Sequence, residues 1–355
     1  MIIPSYYPLI GGAELQLAGL SNELTNQGVR VNIVTRRLSL AHSRKENINE
    51  ILVERLFSKL YPFGFIISLA LYLVKHRKFL DVIHVHTLNS PAIVAAIFGR
   101  VLLKKVLIKV TRSGKLSQIS RFKGSLFGRF YLKCLIYFSS NFVAITQDVK
   151  NELLSIGVPR EKIIVIPNGV KVSKALSKSN KRIEFLFVGR LIKRKRVDLL
   201  LEAWELSGAK EKSRLTIIGD GPEKQPLVKI VNDKKLSASV RVLGEKNQIE
   251  VFSIMKQSDV FVLPSDSEGM SNSLLEAMSF GNIPLVSNIQ ANLDIIIDGK
   301  TGYLFDSTEM LSKLIKEMII SDVLRGQIST NVLNAISSKY AMSIIAKQYM
   351  DFYKK

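Results

Sequence analysis

The chain of 355 residues is poor in the residues that build disulfides and metal centres. Cys134 is its only cysteine, which excludes an internal disulfide and fits a reducing compartment. Four scattered histidines form no metal-ligand pattern, and a D-x-D motif is missing. One mostly apolar stretch, 60–74, carries Pro62 and Gly64 near its start and ends at Lys75, His76, Arg77 and Lys78. It falls short of the roughly 20 residues that span a bilayer, so a buried or interfacial helix is predicted. No secretory signal leads the chain. The absence of a zinc-ligand pattern, an RNA-binding aromatic motif or a recognition helix argues against nucleic acid as a partner.

Acidic residues are scarce as well. Net charge is +21, from 51 Lys and Arg against 30 Asp and Glu; residues 1–166 hold 23 basic and 9 acidic ones. No acidic residue lies between Asp81 and Asp148. That gap contains Arg100, Lys104, Lys105, Lys109, Arg112, Lys115, Arg121, Lys123, Arg129 and Lys133. Leu116, Ile119, Phe122, Leu126, Phe127, Phe130 and Tyr131 are interleaved with them, at a spacing that gives a helix one apolar and one basic side. An anionic membrane surface is the expected partner. The plainer alternative is a solvated basic face over ordinary core.

The chain's length exceeds the usual ~100–200 residues of one domain, and its patterning divides in two. Buried strands are predicted at 29–35, 81–86, 106–110 and 142–145, then at 185–188, 214–218, 240–243, 260–263 and 283–286, with helical stretches between. Such alternation implies parallel sheets, with ligands at the carboxyl ends of the strands. Pro167, Asn168 and Gly169 mark a turn before the lysine- and serine-rich run 171–182, the best linker. The expected domains are 1–166, 167–340 and a terminal helix, 341–355.

The segment SDVFVLPSDSEGMSNSLLEAMSFGNIPLVS, 258–287, is the richest in signals. A strand ends at Pro264, a polar loop containing Gly269 follows, and a helix begins near Asn272 with Gly281 placed to cap its end. Strand, loop and helix together aim amide groups at one spot, which favours phosphate. Glu268 and Glu276 stand eight residues apart there. Ser273 and Glu276 also fit an S-x-x-E capping box, which would give Glu276 a purely local duty. Gly11 and Gly12 precede a helical pattern through Leu15, Leu17, Leu20 and Leu24, and let the backbone approach a phosphate closely. DVIHVH, 81–86, ends a strand with His84 and His86, expected on opposite faces. Arg190 and Lys195 follow a strand in FLFVGRLIKRKR, where a cation pair suits a diphosphate. GDGP, 219–222, reads first as a turn.

Together these motifs resemble the retaining nucleotide-sugar glycosyltransferases of family 4. The match lies in P-S-Y-Y-P-L-I-G-G-A-E, G-R-L-x-x-x-K, P-N-G-V and above all S-E-G-M-S-N-x-L-L-E-A-M, the E-x7-E region. The resemblance implies an α/β GT-B fold, two Rossmann-like parallel-sheet domains facing across a cleft, the first binding acceptor and the second the nucleotide sugar. It implies catalytic roles for His86, beside the donor sugar, and for Glu268, Arg190 and Lys195. It assigns donor binding to Gly11, Gly12, Arg190, Lys195, Gly269, Met270, Ser271, Asn272 and Glu276, the last accepting from ribose hydroxyls. A UDP- or GDP-sugar donor, a glycan or lipid-linked acceptor, no cofactor and no metal follow from it. So does retention of anomeric configuration in bacterial surface-polysaccharide synthesis, at the cytoplasmic side of a membrane.

Four departures from the family pattern stand out. Only Met1 to Ile3 precede Pro4 where relatives have a whole strand, so most of strand one is expected to be missing. Arg196 replaces a frequent glycine. Thr111, Arg112 and Ser113 replace T-H-G, and residues 290–293 replace a glycine-containing loop. An epimerase or hydrolase of related fold, or a non-catalytic basic binding protein, remain alternatives.

Overall fold

The computed structural model describes residues 1–8, 11–57, 62–114, 117–173, 182–209 and 213–354. Leu60, Lys115, Leu116 and most of the predicted linker therefore lie outside the described residues. The chain folds as two compact units, Met1–Gly169 with Met342–Lys355, and Val170–Ala341.

Unit 1 begins with Met1–Ile3, then α1 (Gly12–Asn26), β1 (Asn32–Arg36), β2 (Lys45–Ile48) and β3 (Ile51–Leu56). It continues through α2 (Phe63–His76), β4 (Val82–Val85), α3 (Ser90–Val101) and β5 (Lys105–Val110). Next come α4 (Gln118–Lys123), α5 (Leu126–Phe138), β6 (Asn141–Ala144), α6 (Gln147–Ser155) and β7 (Ile163–Val165). Strands run β1-β3-β2 in one ladder and β4-β5-β6-β7 in another. Ile2 joins the two, bridging Val34 and Val85 in parallel, and its amide donates to His84 O at 2.8 Å. The residues before Pro4 thus occupy the first-strand position with partners on both sides.

The expectation of purely parallel pairing fails at one place. β2 and β3 form an antiparallel hairpin, with Ile48 opposite Ile51. Its two-residue turn, Asn49 and Glu50, has positive φ at both positions, a geometry that fits the twist of a hairpin. β2 is mostly exposed, so it lacks the apolar run that marks the predicted strands.

Unit 2 comprises β8 (Ile183–Val188), α7 (Val197–Ser207), β9 (Ser213–Ile218), α8 (Lys224–Asp233), β10 (Val240–Val242), α9 (Gln248–Gln257) and β11 (Val260–Leu263). After these come α10 (Asn272–Ser279), β12 (Ile283–Ser287), α11 (Gln290–Leu293), β13 (Tyr303–Phe305), α12 (Thr308–Ile320) and α13 (Asp322–Ala335). The sheet order is β10-β9-β8-β11-β12-β13, all parallel. Strand order reverses between β8 and β11, and the crevice at the carboxyl ends of such a pair is where open α/β sheets take ligands. Trp204, Phe185, Phe187 and Phe261 are fully buried around this sheet, each contributing ~1.5–3 kcal/mol. Trp204 also donates from Nε1 to Ser239 Oγ at 3.1 Å.

A π turn, Ile336–Tyr340, precedes the last helix, α14 (Met342–Lys354), which belongs to unit 1. There Ile345, Ala346 and Tyr349 share a core with Leu17, Leu20 and Leu24 of α1. Gln16 reads both backbone groups of Gly169, donating to its oxygen at 2.9 Å and accepting from its amide at 3.1 Å. A Cβ on Gly169 would sit 2.8 Å from Met342 Sδ, so the glycine of P-N-G-V is a close-packing position.

Candidate donor site

In unit 2 the sequence motifs converge at the carboxyl ends of β8 and β11. Beyond β8 the chain passes Gly189 and exposed Arg190, then makes a 3-10 turn, Lys193–Lys195. Beyond β11 it passes Pro264 and Ser265 into the loop that carries Glu268. Lys195 and Glu268 are both nearly buried and form an ion pair, Nζ against Oε1. Arg194 Nη1 stands 4.0 Å from the other carboxylate oxygen and donates to Ser267 O at 3.0 Å. Asp266 N donates to Arg194 O at 2.9 Å, and Arg196 pairs with Asp266 and Asp198. The two loops are therefore clamped by backbone and side chain together. Arg194 had no sequence signal beyond its place in a basic run, and only the fold distinguishes it from its neighbours.

Arg196 has φ of 47°, the left-handed region. A glycine adopts that conformation without strain, which accounts for the family's preference at this position. Here the ion pairs to Asp198 and Asp266 hold the arginine in place.

The GDGP motif forms the floor under Gly189–Leu191. Gly219 has φ of 145°, and a Cβ on it would lie 1.8 Å from Gly189 O; one on Gly221 would lie 2.3 Å from Leu191 O. Leu191 N donates to Asp220 O at 2.9 Å, fixing the register of the two loops. The glycines are needed for this close approach.

α10 starts at Asn272, and its N-cap is Ser271, whose hydroxyl accepts from Leu274 N at 3.3 Å. That corrects the proposed capping box: with Ser271 at the cap, Leu274 holds the third helical position and Glu276 lies two residues beyond it, so it does not close the helix. Gly269 is not among the positive-φ residues, whereas Gly281, φ 73°, ends the helix as predicted. Met270 and Ser271 are buried, while Asn272 is half-buried at the start of the helix. Burial pushes the Glu276 carboxyl up to about 7. A carboxylate in such a place needs donors, and vicinal hydroxyls supply two.

In unit 1, Gly11 is the N-cap of α1 and Gly12 its first residue, both exposed. Glu14 folds back over this turn, 2.6 Å from Ser5 Oγ. His86 follows β4, its amide donating to Ile2 O at 2.9 Å. The expectation that His84 and His86 take opposite faces is wrong. Side chains on a strand repeat every second residue, so the two lie on one face, with ring centroids 4.2 Å apart. His84 Nδ1 is 2.8 Å from Tyr353 Oη of α14, and Nε2 of both rings is buried without a partner. Burial first, then neighbouring positive charge including Lys109, holds both imidazoles well below their ordinary pKa. His86 therefore offers a hydrogen bond from a neutral ring.

The basic gap is likewise not a single face. Lys109 is buried 6.0 Å from the Tyr349 ring, its pKa pushed down to about 8 by burial. Lys105 lies 5.1 Å from the Phe352 ring centroid and donates to Phe352 O at 3.3 Å. Among the described residues, no group of three or more His, Cys, Asp and Glu is arranged to hold a metal ion.

Residues 10–174 match the family described as Glycosyltransferase Family 4, and residues 171–334 the one described as Glycosyl transferases group 1. Alpha-monoglucosyldiacylglycerol synthase of Acholeplasma laidlawii is 26% identical, over 99% of this chain and 96% of its own. An uncharacterized glycosyltransferase of Methanocaldococcus jannaschii is 29% identical, over 71% of this chain and 69% of its own. The solved structure of Anabaena HepE in complex with UDP-glucose superimposes with a TM-score of 0.79 at 18% identity, covering 99% of this chain and 98% of that one, a likeness of fold. With two glycosyltransferase families matching end to end from residue 10 to 334 on a shared two-unit architecture, the chain is a glycosyltransferase of the GT-B fold.

Proposed function

We propose that this glycosyltransferase transfers a sugar from a nucleoside diphosphate to a glycan or lipid-linked acceptor, with retention, in surface-polysaccharide or glycolipid assembly at the cytoplasmic face of a membrane. The observation that carries the donor assignment is the meeting of Lys195, Glu268 and the Glu276-bearing helix where the sheet of unit 2 reverses its strand order. HepE binds UDP-glucose, which favours a UDP-sugar here over a GDP-sugar. The diacylglycerol named for the Acholeplasma relative favours a lipid-linked acceptor.

The roles follow from charge. Arg190 and Lys195 neutralise the diphosphate as it departs, where fixed cations act most strongly on developing charge. That work requires no metal. Lys195 is paired with Glu268 before donor arrives, so on donor binding Lys195 exchanges that carboxylate for the diphosphate. Glu268 is then freed to accept from sugar hydroxyls. Glu276 accepts from the ribose, and the amides of Gly269, Met270, Ser271 and Asn272 lie on the loop and first helical turn between the two carboxylates. From unit 1 we assign the Gly11 and Gly12 amides to the diphosphate and neutral His86 to the sugar. Retention is accounted for by front-face attack, the departing phosphate oxygen taking the acceptor's proton while the new glycosidic bond forms as the old one breaks.

Proton NMR of the transfer product, made from a UDP-sugar in the presence of a chelator, tests this mechanism. A product with the donor's anomeric configuration is expected. An inverted centre, or loss of turnover with the chelator, would refute retention or metal independence respectively. Turnover at full rate without any acceptor would favour a hydrolase instead.

A further inference from the structure

The ring that unit 1 offers the donor sugar has no polar anchor of its own. Among the described residues no side-chain hydrogen bond reaches the His86 imidazole, and its Nε2 is buried without a partner. Against it lies His84, two residues back on the same face of the chain, with ring centroids 4.2 Å apart and planes 32° from one another. A ring held by stacking alone can swing about χ2, because that torsion has broad wells. His86 therefore takes its orientation from whatever fixes His84.

That anchor comes from the far end of the chain. Nδ1 of His84 is 2.8 Å from Oη of Tyr353, in the last turn of α14, and among the described residues this is the only side-chain hydrogen bond on either imidazole. The Tyr349 ring, one helical turn earlier, packs on His84 with centroids 5.0 Å apart, and the Tyr353 ring meets His84 edge-on at 6.1 Å and 71°. The two tyrosines differ in their hydroxyls: that of Tyr349 is buried without a partner, so only its ring serves, whereas that of Tyr353 holds the imidazole. The last turn is itself tied down, since Lys105 Nζ donates to Phe352 O at 3.3 Å and lies 5.1 Å from the Phe352 ring centroid. A neutral imidazole has one donor and one acceptor nitrogen, and a fixed partner at Nδ1 selects which is which.

We infer that Tyr353 is a positioning residue for the donor sugar: its hydroxyl fixes the ring of His84, and His84 fixes the ring of His86 at the angle from which it meets a sugar hydroxyl. This rests on the proposed contact of His86 with the donor, and it gives α14 a duty beyond covering the core of unit 1.

Two measurements on the full chain test it. Proton–nitrogen correlation spectra of the ligand-free protein, labelled at its four histidines, report the tautomer and surroundings of each imidazole. Calorimetric titrations with UDP-glucose and with UDP isolate the sugar contact, because UDP lacks the sugar. Tyr353→Phe keeps the ring and removes only the hydroxyl. It should shift the resonances of both His84 and His86, turn a single tautomer at His84 into a mixture, and weaken UDP-glucose about threefold to tenfold while leaving UDP as it was. Tyr349→Phe, which removes a hydroxyl that has no partner, should leave the His86 resonances and both affinities as in the native chain. A hydroxyl needed only for packing would change the two affinities alike or not at all. His86 resonances unmoved by Tyr353→Phe, or an unchanged ratio of the two affinities, would overturn the inference. His86→Ala keeps the two claims apart. Native UDP-glucose affinity in that variant would remove the sugar contact itself, whereas weakened affinity there with native affinity in Tyr353→Phe would overturn the positioning role alone.

Discussion

At the scale of single residues, Glu276 and the pair Lys195–Glu268 carry the account. A carboxyl raised to about 7 by burial costs the fold stability once it ionises. The sign is that of a raised acid: its cost is absent below the unfolded-state pKa of ~4.3, grows as pH rises, and is complete above the folded value. Glu276→Gln should therefore stabilise the ligand-free protein by about 1–3 kcal/mol at pH 8, with little change at pH 4.5, as measured by denaturant titration. The same substitution should weaken UDP-glucose binding. In the native chain that binding should tighten from pH 6 to pH 8, because the ionised carboxylate is the form that accepts from ribose hydroxyls. A flat profile in the native chain would contradict this role.

Lys195→Met leaves Glu268 almost buried without its cation, a change worth about 3–5 kcal/mol in stability. Adding Glu268→Gln should recover most of that stability. Transfer should remain about 100- to 1000-fold down in the double variant, since the diphosphate still lacks its cation. Recovery of activity together with stability would make the pair merely structural.

At the scale of elements, glycine positions decide the geometry. Gly219→Ala would drive a Cβ into Gly189 O, costing about 2–4 kcal/mol, and should reduce donor binding by displacing the Arg190 loop. Gly299→Ala, at φ 68° with open space around it, is the comparison: it should cost only ~1 kcal/mol and leave binding alone. Melting temperatures and UDP-glucose titrations of the two variants check both statements.

Much of this level was legible in the sequence. Strands β4, β5, β6, β8, β9 and β11 are buried apolar runs, and such runs are visible in a single sequence. β2 was not, because its exposure removes the apolar run, nor was β7, whose three residues, Ile163–Val165, are only half-buried. The E-x7-E segment announced a strand, a loop and a helix, yet it could not reveal that Ser271 rather than Ser273 caps α10. Arg194 was indistinguishable from Lys193 until the fold set its side chain beside Glu268. The stacking of His84 on His86 was open to inference from strand periodicity alone, while the tie from His84 to Tyr353 joins residues 269 apart in sequence.

At the scale of the whole molecule, the excess of positive charge is unevenly shared, and the fold sorts it into different duties. Lys109 is buried beneath α14, Lys195 is held by a carboxylate, and the exposed cations of α2, α3 and α5 border apolar rows. The sequence displayed the acidic gap but not this sorting, which depends on which strand or helix face each residue falls on.

The most direct test of the central claim is calorimetric titration of UDP-glucose into the native chain and into Glu276→Ala. The account predicts binding by the native chain and a loss of about tenfold or more in the variant, with the fold intact by circular dichroism. Equal affinity in the two proteins, or no binding of any nucleoside diphosphate sugar to the native chain, would contradict it.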